Sequence, residues 1–195
     1  FSHIAYKAVV LSAQKNMSVK LIPTVIESDQ IIVRGGLSDE SILNAVTSIH
    51  IFTNDHIRHA GASNFQILTE QIPNLNWAGG TSRPRYFQIR GIGERSHYFG
   101  EGPPNFSVGF VIDDMDFSGL GMIANLYDLD QIEIFRGSQS SVYGANALAG
   151  LISLKSNDPI EKLEAGVSAS KGSDNHFGIN NYFNFKAIDG LSIRA

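Results

Sequence analysis

Three charged residues sit where charge is costly. Arg90 and Arg136 each close an apolar, strand-like run just before a glycine, in Gln88-Ile89-Arg90-Gly91 and Ile134-Phe135-Arg136-Gly137, and Glu133 lies inside the second run. Burying a charge among apolar residues costs several kcal/mol unless it is paired. Each of the three therefore implies a partner, in the same sheet or outside the chain. A second group mixes aromatic and cationic side chains: Trp77, Arg83, Arg85, Tyr86, His97, Tyr98, Phe99 and Phe117. They fall in or beside three stretches rich in Gly, Pro, Asn and Ser. Ring faces and guanidinium donors together suit an anionic or hydroxyl-rich small molecule, through stacking and charge-assisted hydrogen bonds.

Other chemistry-bearing residues point to structure instead. Asp113, Asp114 and Asp116 offer hard oxygen ligands, but their spacing matches no calcium loop and fits a strand end and turn. His56 and His59 share one face of a short helix without a third zinc ligand. Gly91-Ile92-Gly93 lacks the final glycine and following helix of a dinucleotide loop. Ser138 to Ser141 lack a nucleophile elbow and a nearby histidine. The chain has no cysteine, which excludes disulfides, thiolate metal sites and thiol catalysis within it. No catalytic residue, metal site or cofactor is expected.

Composition narrows the class. Of 195 residues 43% are hydrophobic and 17% charged, and there are 19 glycines, a turn-rich β-containing profile with enough apolar residues for a core. A net charge of −4 gives no electrostatic footprint for nucleic acid. No apolar run reaches the roughly 18 residues of a membrane-spanning helix, although a β-barrel would not produce that signal. The chain opens on Phe1 and closes on Arg194-Ala195 inside a strand-like pattern. Both ends are read as cut, so the chain is expected to be part of a longer protein.

The elements that must position these residues follow in order. Residues 1–34 read as short strands, including Ile4–Leu11 and Ser18–Ile22. Residues 35–44 read as a linker. Val46, Ile49 and Ile51 predict a strand. The cluster Thr53-Asn54-Asp55 then caps a helix ending at Gly61, and Ser63-Asn64-Phe65-Gln66 forms the capping box of a second helix stopped by Pro73. Asn74 to Arg85 read as a polar loop, Tyr86–Gly93 as a strand and turn, Glu94–Phe106 as a loop, and Ser107–Asp114 as a strand ending in an aspartate pair. A third loop, Phe117–Met122, leads to a short helical turn from Ile123 to Asp128. Ile132 and Ile134 alternate with their neighbours in a strand that breaks at Gly137. A Ser-rich turn follows, and Leu151-Ile152-Ser153-Leu154 returns as a second strand. Beyond Pro159, segments of about ten residues alternate apolar and polar positions around polar turns, the pattern of transmembrane β-strands.

The run Ile132-Glu133-Ile134-Phe135-Arg136-Gly137-Ser138-Gln139-Ser140-Ser141-Val142-Tyr143-Gly144-Ala145-Asn146-Ala147-Leu148-Ala149-Gly150 resembles the end of the plug domain of TonB-dependent outer-membrane receptors. The family phrase is I-E-V-hydrophobic-R-G-P-x-S-x-x-Y-G-x-x-A-x-x-G, and Ser138 stands here in place of proline. Gln88–Gly91 resembles the family's hydrophobic-x-I-R-G element, Asp113 its strand-ending aspartate, and Ile72-Pro73-Asn74-Leu75 its hydrophobic-P-G-V phrase with Asn74 for glycine. The resemblance covers residues 38–158.

It implies an α+β fold: a small plug with a mixed, few-stranded sheet and short helices, followed by the first antiparallel strands of a transmembrane β-barrel. The domains are expected at 1–34 (a β-rich segment, either a generic meander or the tail of a carboxypeptidase-regulatory-like domain), 45–158 (the plug) and 159–195 (barrel strands). Asp29, Gln30, Ile31, Ile32 and Val33 resemble a TonB box, within residues 29–34, which would pair with TonB by strand addition. An ordinary strand ending the preceding segment is the alternative. The resemblance implies that Arg90, Glu133 and Arg136 pair with the barrel wall, and that the aromatic and cationic loop residues meet a small-molecule ligand. Implied partners are TonB with its inner-membrane energising complex, the receptor's own barrel and outer-membrane lipid. The implied function is gated, energy-coupled uptake of a scarce nutrient (siderophore-iron, cobalamin or glycan-like) across the bacterial cell outer membrane, without enzymatic activity. The alternative is a soluble α+β binding module recognising a protein or glycan through residues 74–85 and 95–107.

Overall fold

The computed structural model describes residues 6, 10, 18–23, 31–36, 39–62, 64–79, 86–94, 106–121 and 124–195. The N-terminal part contributes an isolated bridge between Tyr6 and Pro23. Strands β1 (Ile32–Val33) and β2 (Glu40–Ser41) then pair antiparallel. Strand β3 (Ile49–Thr53) runs directly into helix α1 (Asn54–His59), and helix α2 is Phe65–Thr69. Val46, expected in β3, is fully exposed ahead of it.

A small antiparallel sheet follows, made of β4 (Leu75–Ala78), β5 (Tyr86–Ile89) and β6 (Ile92–Gly93). The sequence pattern places residues 75–78 in a loop. Pairing with β5, which sets Trp77 opposite Phe87, turns them into a strand. Arg90 and Gly91, both at positive φ, form the two-residue turn between β5 and β6. Asn74 is left-handed at φ 63°, so asparagine carries the turn after Pro73 as expected.

The centre of the fold is a five-stranded mixed sheet. Its strands are β3, β7 (Val108–Ile112), β8 (Met115–Asp116), β9 (Leu129–Phe135) and β10 (Gly150–Ser156), in the order β3-β9-β10-β7-β8. Strand β10 pairs antiparallel with β9 and parallel with β7. Helix α3 (Ser140–Tyr143) and a 3-10 turn at Gly144–Ala147 fill the connection between β9 and β10. Asp113 and Asp114, at φ 48° and 65°, make the tight turn between β7 and β8. The short helix expected before Asp128 is not formed by residues 124–128; Asp128 instead adopts φ 60° in a turn entering β9.

Both faces of this sheet are covered. On one side Phe52, Ile132, Ile134, Ile152, Leu154 and Phe110 pack against Ile57 of α1, Phe65 and Leu68 of α2, and Phe87 and Ile89 of β5. Phe65, Phe87 and Phe110 form an aromatic cluster with ring centroids 5.6–5.8 Å apart. On the other side Phe135, Leu151 and Val111 pack with Ala147 and with Val33 of β1. This burial, not capping, stabilises the two short helices. Thr53, within the expected cap cluster, occupies the first N-cap position, but the second is Asn64 rather than the Ser63 that opens the expected capping box, and neither side chain makes a capping bond. Ser63 lies outside the described residues.

A separate three-stranded antiparallel sheet ends the chain: β11 (Glu164–Lys171), β12 (Phe177–Ile188) and β13 (Leu191–Arg194). Register sets Ala165 opposite Phe183 and Ala169 opposite Ile179 on one face, and Gly166 opposite Tyr182 and Ser168 opposite Asn180 on the other. One face is thus apolar, with Val167, Ile179 and Phe183 exposed, and the other is polar.

Candidate functional site

The polar face of the last sheet meets the α+β body. Arg194 of β13 donates Nε and Nη2 to the two carboxylate oxygens of Asp128, both at 2.6 Å. The guanidinium also lies 4.3 Å over the Tyr182 ring. Tyr182 in turn donates its hydroxyl to Glu164 at 2.7 Å. The fork geometry is the strong form of an arginine–carboxylate contact. Asp128 is itself placed by its left-handed turn and by Asn157, whose amide donates to its backbone carbonyl and side chain. Asn184, fully buried on β12, bonds the backbone of Ile160 and Lys162 and so ties the connecting segment to the sheet. Sequence pattern identified these strands but not these contacts, which join residues up to 66 positions apart.

Glu133, expected to pair with the barrel wall, has partners within the chain. It is fully buried on β9, and its carboxylate accepts the backbone N–H groups of Arg34 at 2.6 Å and Gly35 at 2.7 Å. Gln131, two residues earlier on the same face, donates to Glu133 and to the carbonyl oxygen of Ile32 at 2.8 Å. Burial pushes the Glu133 carboxyl above its usual range, and the N–H groups of Arg34 and Gly35 oppose that shift by favouring the charged form.

The two arginines are apart from this cluster. Arg90 is exposed in its turn. Arg136 follows β9, donates its backbone N–H to Ser48 at 2.9 Å, and has a buried Nε with no hydrogen-bond partner among the described residues. Burial, and then the nearby charge of Arg136, hold His50 below the ordinary imidazole range.

Of the loop residues, Arg83, Arg85, His97, Tyr98 and Phe99 lie outside the described residues, as do Asp29 and Gln30. Tyr86 is buried and stacks on Phe106 with centroids 6.1 Å apart. Trp77 and Phe117 are half-buried against the main core. A carboxylate that the sequence did not single out ties two separated strands' ends together: Glu94 accepts the Ser107 N–H at 3.0 Å and its hydroxyl at 2.6 Å. The aspartates at the β7–β8 turn bond protein groups. Asp113 accepts from Ser156, Asp114 from Lys155 and Tyr143, and Asp116 from Asn146 and Ser118. The Lys155 hydrogen bond holds Asp114 below the usual carboxylate range. Among the described residues no cluster of three or more His, Asp or Glu could hold a metal ion. His59 bonds the Asp55 carbonyl of its own helix.

Residues 41–151 match the family model of the TonB-dependent receptor plug domain. The chain belongs to this family. The plug is accordingly the α+β body, and the family places the chain in the bacterial cell outer membrane. A curated relative, the rhizobactin receptor of Rhizobium meliloti, is 25% identical over 158 residues, covering 74% of this chain and 19% of that protein. Among solved structures, the fold is similar to the ferric yersiniabactin uptake receptor FyuA of Yersinia pestis, with a TM-score of 0.64 and 20% identity over 74% of this chain and 22% of that one. It is similar also to the ferripyoverdine receptor of Pseudomonas aeruginosa, with a TM-score of 0.65 and 14% identity over 81% of this chain and 20% of that one. The chain thus spans about a fifth of the length of the relatives it matches. No helix among the described residues is long and apolar enough to cross a membrane, which says nothing of strands.

Proposed function

We propose that the chain is the plug and first barrel strands of a receptor that binds a scarce nutrient of the siderophore class and gates its energy-coupled uptake into the periplasm. The observation that carries this reading is the pairing of a family-matched plug with amphipathic strands whose polar face turns toward it through Arg194 and Asp128. The rhizobactin, yersiniabactin and pyoverdine receptors similar to it support the ligand class. The reading involves no bond-making step, so we assign no enzymatic activity.

Within this reading Asp29–Val33 bind TonB by strand addition. Strand β1 supports it, because Ile32 and Val33 already pair as a short strand with β2. Ligand contact falls to the loops after Ala78 and Glu94, with Arg83, Arg85, His97, Tyr98 and Phe99 as donors and ring platforms beside Trp77, Tyr86 and Phe117. Arg90 and Arg136 face the barrel wall, and the buried Nε of Arg136 is the group most in need of a partner there. The soluble binding module is not favoured, since it accounts for neither the family match nor the exposed apolar strand face.

In the full-length receptor, deletion of Ile31–Val33 abolishes uptake of ferric siderophore while leaving binding to cells intact. Growth of a receptor-deleted strain on iron-depleted medium, tested against a panel of ferric siderophores, reads the outcome. Unchanged growth of the deletion variant overturns the TonB assignment, and growth independent of every siderophore overturns the ligand class.

A further inference from the structure

The carboxylate of Glu133 stands out because it is fully buried and, beyond its own strand, is bonded by backbone N–H groups alone. Two consecutive N–H groups, of Arg34 and Gly35, grip its two oxygens at 2.6 and 2.7 Å. Gln131 reads the carbonyl oxygen of Ile32 from the same strand face. The segment lies close against the sheet. A Cβ at Gly35 would lie 2.7 Å from the Glu133 carboxylate, 2.9 Å from the Phe135 ring and 3.1 Å from the Ser153 hydroxyl. Val33 is completely buried against Phe135, Leu151, Val111 and Ala147. Strand β9 therefore carries a shaped receptor for one stretch of backbone, Ile32–Gly35.

We propose that Glu133 is a latch that holds Ile32–Gly35 on the plug sheet, and that a pull on the chain N-terminal to it enters the plug at this carboxylate. The second clause rests on the reading of Asp29–Val33 as the TonB-binding stretch. The chemistry suits a contact that must hold and also let go. Docked, the carboxylate is satisfied by charge-assisted bonds in a dry setting, where they are strong. Released, the same carboxylate is satisfied by water, so opening leaves no orphaned charge. A purely apolar contact would gain nothing from water on release. The remaining ties are weaker: β1 and β2 pair over two residues each, and the Arg34 side chain reaches Asp130 at 2.9 Å at a half-exposed site.

The test uses the full-length receptor, with any cysteine outside this cysteine-free stretch replaced by serine, and Ile31→Cys as the reporter. Spin-label mobility and the rate of thiol labelling at position 31 are measured in E133L, E133Q and G35A backgrounds. E133L fills the sheet face but offers no acceptor to the two N–H groups; G35A breaks the contact from the segment's side and leaves the sheet untouched. Both raise the labelling rate about tenfold or more, and E133Q, which keeps one acceptor oxygen, falls between them and the parent. The plug's own thermal transition stays in place in G35A, a result that a merely structural role for the contact does not give. An equally immobile label in E133L and G35A overturns the latch. Cross-linking of the reporter thiol at position 31 to purified TonB C-terminal domain separates the two clauses. Capture rising with labelling supports both. Labelling that rises without any capture upholds the latch and overturns the TonB reading of Asp29–Val33.

Discussion

The two larger sheets of this chain use the same strand geometry and distribute apolar residues in opposite ways. In the plug sheet, β9 is buried along all but Asp130, and β10 is buried from Gly150 to Leu154. Its apolar residues point both ways, because helices and β4–β6 cover one face and Val33 with Phe135 and Leu151 fill the other. In the last sheet, β11 is almost wholly exposed and β12 alternates. Its polar face has partners in the plug, through Asp128 and Tyr127, while its apolar face has none among the described residues. A plug strand is specified by what the chain itself packs on it. A barrel strand is specified half by the plug and half by a non-aqueous neighbour.

The largest effect separating the two comes from the same substitution made in each. Ile152→Arg places a charge in the middle of the plug core and costs more than about 4 kcal/mol, enough to remove the plug's thermal transition in the purified receptor. Val167→Arg, on the exposed face of β11, leaves that transition where it is and instead lowers the yield of membrane-inserted receptor, at roughly 2–4 kcal/mol if the site lies near the bilayer midplane. Loss of the plug transition in both variants would break the contrast.

A smaller effect comes from two glycines. A Cβ at Gly150 would meet the backbone oxygen of Phe135 at 2.4 Å, whereas one at Gly166 would meet the Tyr182 ring at 2.3 Å. Backbone in a sheet cannot step aside, but the half-buried Tyr182 ring can tilt. Gly150→Ala costs about 1–3 kcal/mol in chemical denaturation of the plug, and Gly166→Ala well under about 1 kcal/mol. Equal costs would show that the last sheet packs as tightly as the first.

The smallest effect is a titration. Burial, then the hydrogen bond to Asp114 at 3.1 Å, push the Tyr143 phenol up to about 12. The folded state keeps this proton longer than the unfolded state, whose phenol ionises near about 10. Stability from Tyr143 is therefore complete below about pH 10 and is lost as pH rises from there toward about 12. Phenolate absorbance shows a late step that Tyr143→Phe removes. A normal titration would place Tyr143 among the solvated residues of the barrel side.

Much of this architecture was legible in the residues. The β9–β10 pair followed from the alternation of Ile132 and Ile134 and from glycines at 137, 144 and 150. The dyad strands followed from Ala165, Val167 and Ala169. Strand β4 was not legible, because Leu75-Asn76-Trp77-Ala78 is short and sits among asparagines and glycines, and only its register with β5 makes it a strand. Thr53 stands at an N-cap without making a cap bond, and the second helix takes Asn64 instead of Ser63 as its N-cap, because burial of Ile57, Phe65 and Leu68 fixes the helices.

By itself the sequence determined the elements and the family phrase, since strand period, turn chemistry and a long spaced motif are local properties of the chain. The tertiary structure decided which charge meets which partner. Glu133 and Arg136 read alike on paper as charges beside apolar runs, and Asp128 is not singled out by its sequence surroundings at all. One holds the backbone of Arg34 and Gly35, one keeps a buried nitrogen without a partner among the described residues, and one grips Arg194. Those partners lie tens of positions away, and pairing at that separation is set by how sheets stack, which no local pattern encodes.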